Sequence, residues 1–326
     1  MRRLGTPIAN KMPCYTPLKG YKDITTGALV FDKKNAHSKL EVACGSCLGC
    51  RVDHRLMWSI RIVHEACMHR DHHGNSWATL TYRDPSACNE EQYKKGYHID
   101  KQGQLQPSHV SKFIRSLRKA NQDHRIRYFY CGEYGDDNQR PHYHICIFNH
   151  SFKDQYLWQD DEGVYTYTSE ELEKHWPWGF STVAELNLRT AAYTAGYIFK
   201  KITGKRAEDH YLRCDEYGVA YWLLPEYIRM STGRKFPAGI GASFYEKYKT
   251  DIFPHDKTPI PGHGESELVP RYYQNILAEQ NPAMLDRIKE LRQEFIRAHA
   301  ADFTPERLRD KYICAKAKES KLKRNL

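Results

Sequence analysis

Eight residues, Pro141-His142-Tyr143-His144-Ile145-Cys146-Ile147-Phe148, constrain the fold more than any other stretch of the chain. Tyr143, Ile145 and Ile147 share one parity and the two histidines share the other, and a side-chain period of two is that of a β-strand. Such a strand needs an apolar layer under one face and leaves His142 and His144 side by side on the opposite one. Residues 126–133 have the same strand character, and the polar run Tyr134-Gly135-Asp136-Asp137-Asn138-Gln139-Arg140 suits the connection of an antiparallel hairpin. Glu133 then ends the partner strand near the histidines. Two imidazoles on one rigid strand make a chelate, and a carboxylate completes a set for a divalent cation with positions left for water and phosphate oxygens. Glu133 is the candidate third ligand, and Arg140 supplies charge for a phosphate. The plainer alternative is that histidines at alternate positions are ordinary polar surface of a half-exposed strand.

Elements around the hairpin follow from spacing. Leu56, Ile60, Val63 and Cys67 recur at helical intervals over residues 55–68, and residues 77–82 form a strand bounded by turn residues. A helix capped by Ser108 carries Val110, Phe113, Ile114 and Leu117 on one stripe, with Lys112, Arg115, Arg118 and Lys119 off it as a basic face for DNA. A short helix near 169–175, a strand near 180–186 and a helix over 188–202 follow. This order predicts an α+β fold, a central antiparallel sheet with helices on one face. Three segments result: a cysteine-containing, irregular arm (1–54), the sheet-bearing core (55–205) and a C-terminal extension (206–326). Prolines break the extension until two late helices. The first presents Leu285, Ile288, Leu291 and Phe295 on one face, and the second opens at Thr304-Pro305 and runs into a basic tail.

Tyr193 and Tyr197 lie four residues apart in the helical segment, on one face about 40° apart. Lys200 returns to nearly the direction of Tyr193, and Lys201 adjoins it. In isolation a tyrosine pair at helical spacing reads as a core stripe. Beside a metal-ligating strand it reads as a pair of nucleophiles. A phenol with a pKa near 10 is protonated at neutral pH, so its attack on phosphorus requires an activated electrophile, which a metal ion on the phosphate provides. Lys200 or Lys201 would stabilise the developing charge. The product is a 5′-phosphotyrosine, which keeps the phosphodiester's energy and lets a later 3′-hydroxyl rejoin the DNA. Two tyrosines allow one to hold the parental end while the other cuts the regenerated junction.

Charge agrees with a nucleic-acid partner. Fifty Lys and Arg against 40 Asp and Glu give a formal net charge of +10, and 23 tyrosines offer rings for stacking on unpaired bases. No run approaches the roughly 18–20 apolar residues of a membrane span, and no apolar segment follows Arg2 and Arg3, so the expected setting is the cytoplasm with reduced thiols. Cys44, Cys47 and Cys50, with Cys14 as a fourth, have the spacing of a structural zinc site, against the alternative of plain buried thiols.

These residues resemble the HUH superfamily of replication initiators, and within it those of the Microviridae, especially the gokushovirus branch. Cys44-Gly45-Ser46-Cys47-Leu48-Gly49-Cys50-Arg51, Thr79-Leu80-Thr81-Tyr82, Gly132-Glu133-Tyr134-Gly135, Arg140-Pro141-His142-Tyr143-His144 and Ala192-Tyr193-x-x-x-Tyr197 carry the resemblance, which covers most of the chain. It implies a ferredoxin- or RRM-like nuclease core that uses Mg²⁺ or Mn²⁺, nicks double-stranded replicative-form DNA at an origin and bonds to the 5′ end through tyrosine. Rolling-circle synthesis would start from the free 3′-hydroxyl with host helicase and polymerase, in the cytoplasm of an infected bacterium, and the displaced single-stranded viral DNA would be circularised. Tyr143 stands where the superfamily generally has a hydrophobic residue, and the resemblance does not fix Glu133. A non-catalytic single-strand-binding protein, or an HUH relaxase or transposase, are the alternative readings.

Overall fold

The alternation of residues 141–148 is realised as a strand in the middle of the largest sheet. The computed structural model describes residues 13–26, 29–32, 36–135, 138–161, 164–197, 201–202, 204–233 and 237–322. The chain divides into two units, residues 1–57 with 250–259 and 263–326, and residues 58–249 with 260–262. In the first unit β1 (Leu18–Asp23), β2 (Leu29–Val30) and β3 (Ala36–Val42) form an antiparallel sheet in the order β2-β1-β3. The expected irregular arm is therefore a small sheet. Its positions are exposed or half-buried without clear alternation in β1, so backbone pairing rather than a buried face defines it. Helix α1 (Leu48–Cys67) starts at Leu48, well before the expected Arg55, and takes Cys50 into its first turn.

The second unit contains β4 (Asn75–Thr81), β5 (Arg127–Tyr134), β6 (Pro141–Phe148), β7 (Gln155–Asp161), β8 (Val164–Ser169) and β9 (Ser181–Ala184). A separate hairpin, β10 (Leu212–Cys214) and β11 (Ala220–Trp222), precedes β12 (Tyr227–Met230). Seven strands form one antiparallel sheet in the order β12-β5-β6-β4-β9-β8-β7. The helices of this region are α2 (Glu90–Lys94), α3 (Pro107–Ala120), α4 (Glu170–His175), α5 (Leu188–Gly196), α6 (Arg206–Tyr211) and α7 (Ala242–Ile252), the last kinked at Tyr248.

Both faces of the sheet are covered. Ala78, Leu80, Tyr143, Ile145 and Ile147 pack with Val110, Phe113 and Leu117 of α3 and Leu172 of α4. On the opposite face Phe129, Cys146 and Phe148 pack with Ile62 and Ala66 of α1, Ala191 of α5 and Ile240. The α+β class and the central antiparallel sheet stand as read, but the helices lie on two faces and not one. The reason is in β6 itself: beyond His144 the second parity turns apolar at Cys146 and Phe148, so that side also needs a cover. Burying Ile145 or Ile147 is worth roughly 1.5–3 kcal/mol each. A one-residue slip would expose both and bury the histidines, so the register is strongly specified.

Other boundaries shift for local reasons. Pro107 occupies the first turn of α3 after Gln106, which makes no side-chain cap, so Ser108 lies inside the helix. The hairpin β7–β8 went unread because it buries little: Tyr156, Leu157, Trp158 and Tyr165 are exposed. Helix α5 ends at Gly196, not at 202, in keeping with the low helix propensity of glycine. The late helices number three in the first unit: α8 (Arg271–Gln280), α9 (Pro282–Ala298) and α10 (Pro305–Leu322). In α9 Leu285 and Ile288 are buried while Leu291 and Phe295 are exposed, so only half of the expected stripe is core. Thr304 caps α10 as read, accepting from the Arg307 amide.

Candidate active site

Register builds the site. Glu133 of β5 and Thr81 of β4 flank His142 of β6, while Cys131 and Thr79 flank His144. Glu133, His142 and His144 therefore share one face. Glu133 Oε1 lies 2.8 Å from His142 Nε2 and 2.9 Å from His144 Nε2, so both rings aim the same nitrogen at one oxygen. The other ring nitrogens are held from behind: His142 Nδ1 donates to the Arg140 carbonyl at 3.0 Å, and His144 Nδ1 is 3.1 Å from the Thr79 hydroxyl. Such outer contacts orient imidazoles toward a cation. Ligands at cis positions of an octahedral Mg²⁺ site stand about 3.0 Å apart, given metal–oxygen distances of about 2.1 Å. The donor set and its spacing fit a divalent cation.

Burial opposes the charge on Glu133, but hydrogen bonds from His142 and His144 outweigh it and hold the carboxyl at about 2. Tyr143, between the histidines, points the other way. It is fully buried, and its hydroxyl accepts from the Gln106 amide at 2.6 Å and meets the Tyr82 hydroxyl at 3.2 Å. Gly132 makes room for it, since a Cβ there would stand 3.0 Å from the Tyr143 ring. A phenol where an aliphatic residue would serve is thus paid for by its own partners.

Helix α5 delivers the tyrosines to the same face. Asn187 caps it by accepting from the Arg189 and Thr190 amides, and Trp77 of β4 donates from Nε1 to Thr194 Oγ1 at 2.8 Å, tying the helix to the sheet. The His144 ring lies between two aromatics, parallel to Trp77 at 5.1 Å and to Tyr197 at 5.4 Å between ring centroids. Tyr193 meets His144 edge-on at 4.9 Å and Tyr197 edge-on at 4.9 Å. The two phenols differ in access, with Tyr193 44% exposed and Tyr197 8%. Burial first, then the charge of Glu133 and the neighbouring Tyr193, push the Tyr197 hydroxyl above the ordinary phenol range.

The structure thus brings together Glu133, His142, His144, Tyr193 and Tyr197. Lys201 lies past the end of α5 with its side chain exposed, and Lys200 falls outside the described residues. Arg140 is beside the site but engaged, its Nη2 2.6 Å from Asp84 Oδ2 and its Nη1 donating to the Tyr82 carbonyl. Lys112, Arg115, Arg118 and Lys119 belong to α3, on the opposite face of the sheet, and Arg118 is bound to the Ile126 carbonyl. Trp77, Thr79 and Thr194 are supports that the sequence reading missed. Their signal is only the parity of Trp77 and Thr79 within β4, which becomes informative once the register to β6 is known.

In the first unit the sulfurs of Cys14, Cys44, Cys47 and Cys50 lie within 4.8 Å of one another. Cys44 and Cys50 are 4.0 Å apart and Cys14 and Cys47 3.9 Å apart, close to the edge of about 3.8 Å of a tetrahedron with zinc–sulfur distances of about 2.3 Å. Burial opposes ionisation of Cys44, but hydrogen bonds from the Thr16 hydroxyl and the Cys47 and Ser46 amides bring it down to about 5. Tyr15 N–H also points at Cys47 Sγ, at 3.4 Å. Four convergent sulfurs with N–H donors fit a soft divalent ion.

Comparison with known proteins agrees with these elements. Residues 75–202, from β4 to just beyond α5, match the family model of replication-associated proteins of the ORF2 type. The replication-associated protein ORF2 of Spiroplasma virus 4 is 33% identical over 78% of this chain and 73% of its own length. The replication-associated protein VP4 of Bdellovibrio phage phiMH2K is 30% identical over 83% of this chain and 79% of its own, and ORF4 of Chlamydia phage 1 is 27% identical over 48% and 38%. No solved structure matches the chain. Among the described residues no helix is long and apolar enough to cross a membrane.

Proposed function

Because the chain belongs to the phage replication-associated proteins, we propose that its part in viral replication is to nick and rejoin DNA through Tyr193 and Tyr197 at the Glu133–His142–His144 centre. The observation that carries this reading is the packing of both tyrosine rings on His144, whose Nε2 converges with His142 on Glu133. Glu133, His142 and His144 would hold Mg²⁺ or Mn²⁺, which supplies Lewis-acid polarisation of the scissile phosphate. The Tyr193 oxygen attacks phosphorus, its proton passing to water, and the bond to the 3′ oxygen breaks to leave a 3′-hydroxyl. Tyr193 takes the first strand because it is the exposed phenol, while Tyr197 is held protonated in the interior and serves the closing step. Lys200 and Lys201 are the proposed cations for the developing charge, and Arg140 for the flanking phosphate.

In this reading the substrates are double-stranded origin DNA and single-stranded viral DNA, the setting is the host bacterial cytoplasm, and host helicase and polymerase extend the 3′ end. The basic face of α3 would track a separate stretch of DNA backbone. Cys14, Cys44, Cys47 and Cys50 would hold structural zinc, organising the first unit without a part in the chemistry. Full-length protein mixed with single-stranded DNA of its own genome and Mn²⁺ is expected to form a covalent adduct, mapped by mass spectrometry to Tyr193. Adduct formation undiminished in the double variant Tyr193→Phe, Tyr197→Phe would overturn the mechanism.

A further inference from the structure

A second group of histidines lies at the other end of the central strands. His73 precedes β4, Asp123 and His124 precede β5, and His150 follows β6. Six residues of β6 separate His142 from Phe148, about 20 Å of extended chain, so this group is remote from the candidate active site. Its rings form a column: His73 and His124 stack at 3.7 Å with 10° between planes, and His124 and His150 at 5.7 Å with 12°.

Possible ligand atoms of His73, Asp123 and His124 lie within 4.8 Å of one another. Asp123 Oδ1 accepts from His124 Nδ1 at 2.9 Å, which places the lone pair of the neutral ring on Nε2. That Nε2 is shielded from solvent and has no hydrogen-bond partner, and the His124 side chain is only 7% exposed. His150, behind it, is buried, with its Nε2 3.3 Å from Glu171 Oε1. Burial and then the neighbouring His124 and His175 bring its pKa down to about 4, so it stays neutral at physiological pH. His73 and Asp123 are exposed, which leaves an entry from solvent.

Stacked imidazoles repel one another once protonated, yet they suit a cation that accepts nitrogen. A carboxylate on the far nitrogen of a histidine is the usual support of a ligating ring. We propose that His73 and His124, with Asp123 orienting His124 and offsetting charge, bind one divalent transition-metal ion of the imidazole-preferring class, Zn²⁺ or Ni²⁺ and not Mg²⁺. The ion clips together the chain entering β4 and β5, with His150 behind it at the exit of β6.

Calorimetric titration of Ni²⁺ into chelator-treated full-length protein tests this, with near-ultraviolet thiolate-to-nickel absorption recording any metal at the cysteines. The wild type is expected to take one equivalent that leaves no thiolate band. That equivalent should persist in His142→Ala and in Cys44→Ser, and weaken at least tenfold in both His73→Ala and His124→Gln. His73 is exposed, so His73→Ala should keep the wild-type far-ultraviolet circular dichroism. Unchanged stoichiometry and affinity in His73→Ala would overturn the proposal, as would loss of the equivalent in His142→Ala.

Discussion

Glu133 is a carboxylate held almost wholly out of water between two imidazoles, with its pKa at about 2. An unfolded glutamate titrates near 4.3, so on acidification the unfolded chain takes the proton first. The stabilisation is complete above about pH 4.5 and is lost as the pH falls to 2, a contribution on the order of 3 kcal/mol by linkage. Denaturant titrations of metal-free protein across that window should show this acid limb, and Glu133→Gln should flatten it. Equal slopes in the two proteins would mean that the histidines do not stabilise the carboxylate. Sequence disclosed this residue only in part. The parity of His142 and His144 fixes their common face, and hairpin logic brings Glu133 near, but the supports Trp77 and Thr194 meet across 117 positions of chain. No local pattern encodes that meeting. Spacing likewise placed Tyr193 and Tyr197 on one face without revealing that only the first is open to solvent.

Among the elements, β4 and β6 show how closely the backbone is built around the site. Thr81, which pairs with His142, donates its amide to the Phe180 carbonyl at 2.9 Å, and Arg83 donates to the Trp178 carbonyl at 3.0 Å. Gly179 sits between these bonds, and a Cβ there would come 2.0 Å from the Thr81 carbonyl oxygen and 2.6 Å from the Arg83 nitrogen. Both neighbours are backbone and have no rotamer with which to yield. Gly179→Ala should therefore destabilise the protein by about 1–3 kcal/mol, read as a lowered urea midpoint, and a shift under about 0.5 kcal/mol would contradict the close approach. The elements legible in sequence are those with one buried stripe, such as α3 and β6. The hairpin β7–β8 escaped notice because its large side chains face solvent, and β12 because it is short, lies among prolines and pairs with β5 about a hundred residues earlier.

At the scale of the whole molecule, a net charge of +10 pointed to a polyanion but not to the surface that meets it. The basic positions of α3 and the tyrosines turn out to occupy opposite faces of the sheet. The cysteine cluster raises a separate question, of what keeps the first unit folded. Its sheet is short and largely exposed, and among the described residues before α1 only Tyr15 is buried. Tyr15 rests edge-on against Tyr312 of α10 at 5.5 Å, so a single ring anchors this stretch to the late helices of the same unit. A segment so poor in core needs a cross-link, and structural zinc contributes on the order of 10 kcal/mol to folding in small sites. Stripping zinc with a selective chelator should therefore open residues 13–47 to limited proteolysis while fragments spanning 75–184 stay resistant. Cys44→Ser should reproduce that pattern without chelator. Protection of residues 13–47 that survives both treatments would mean that the four sulfurs are plain thiols and that hydrogen bonds to them suffice.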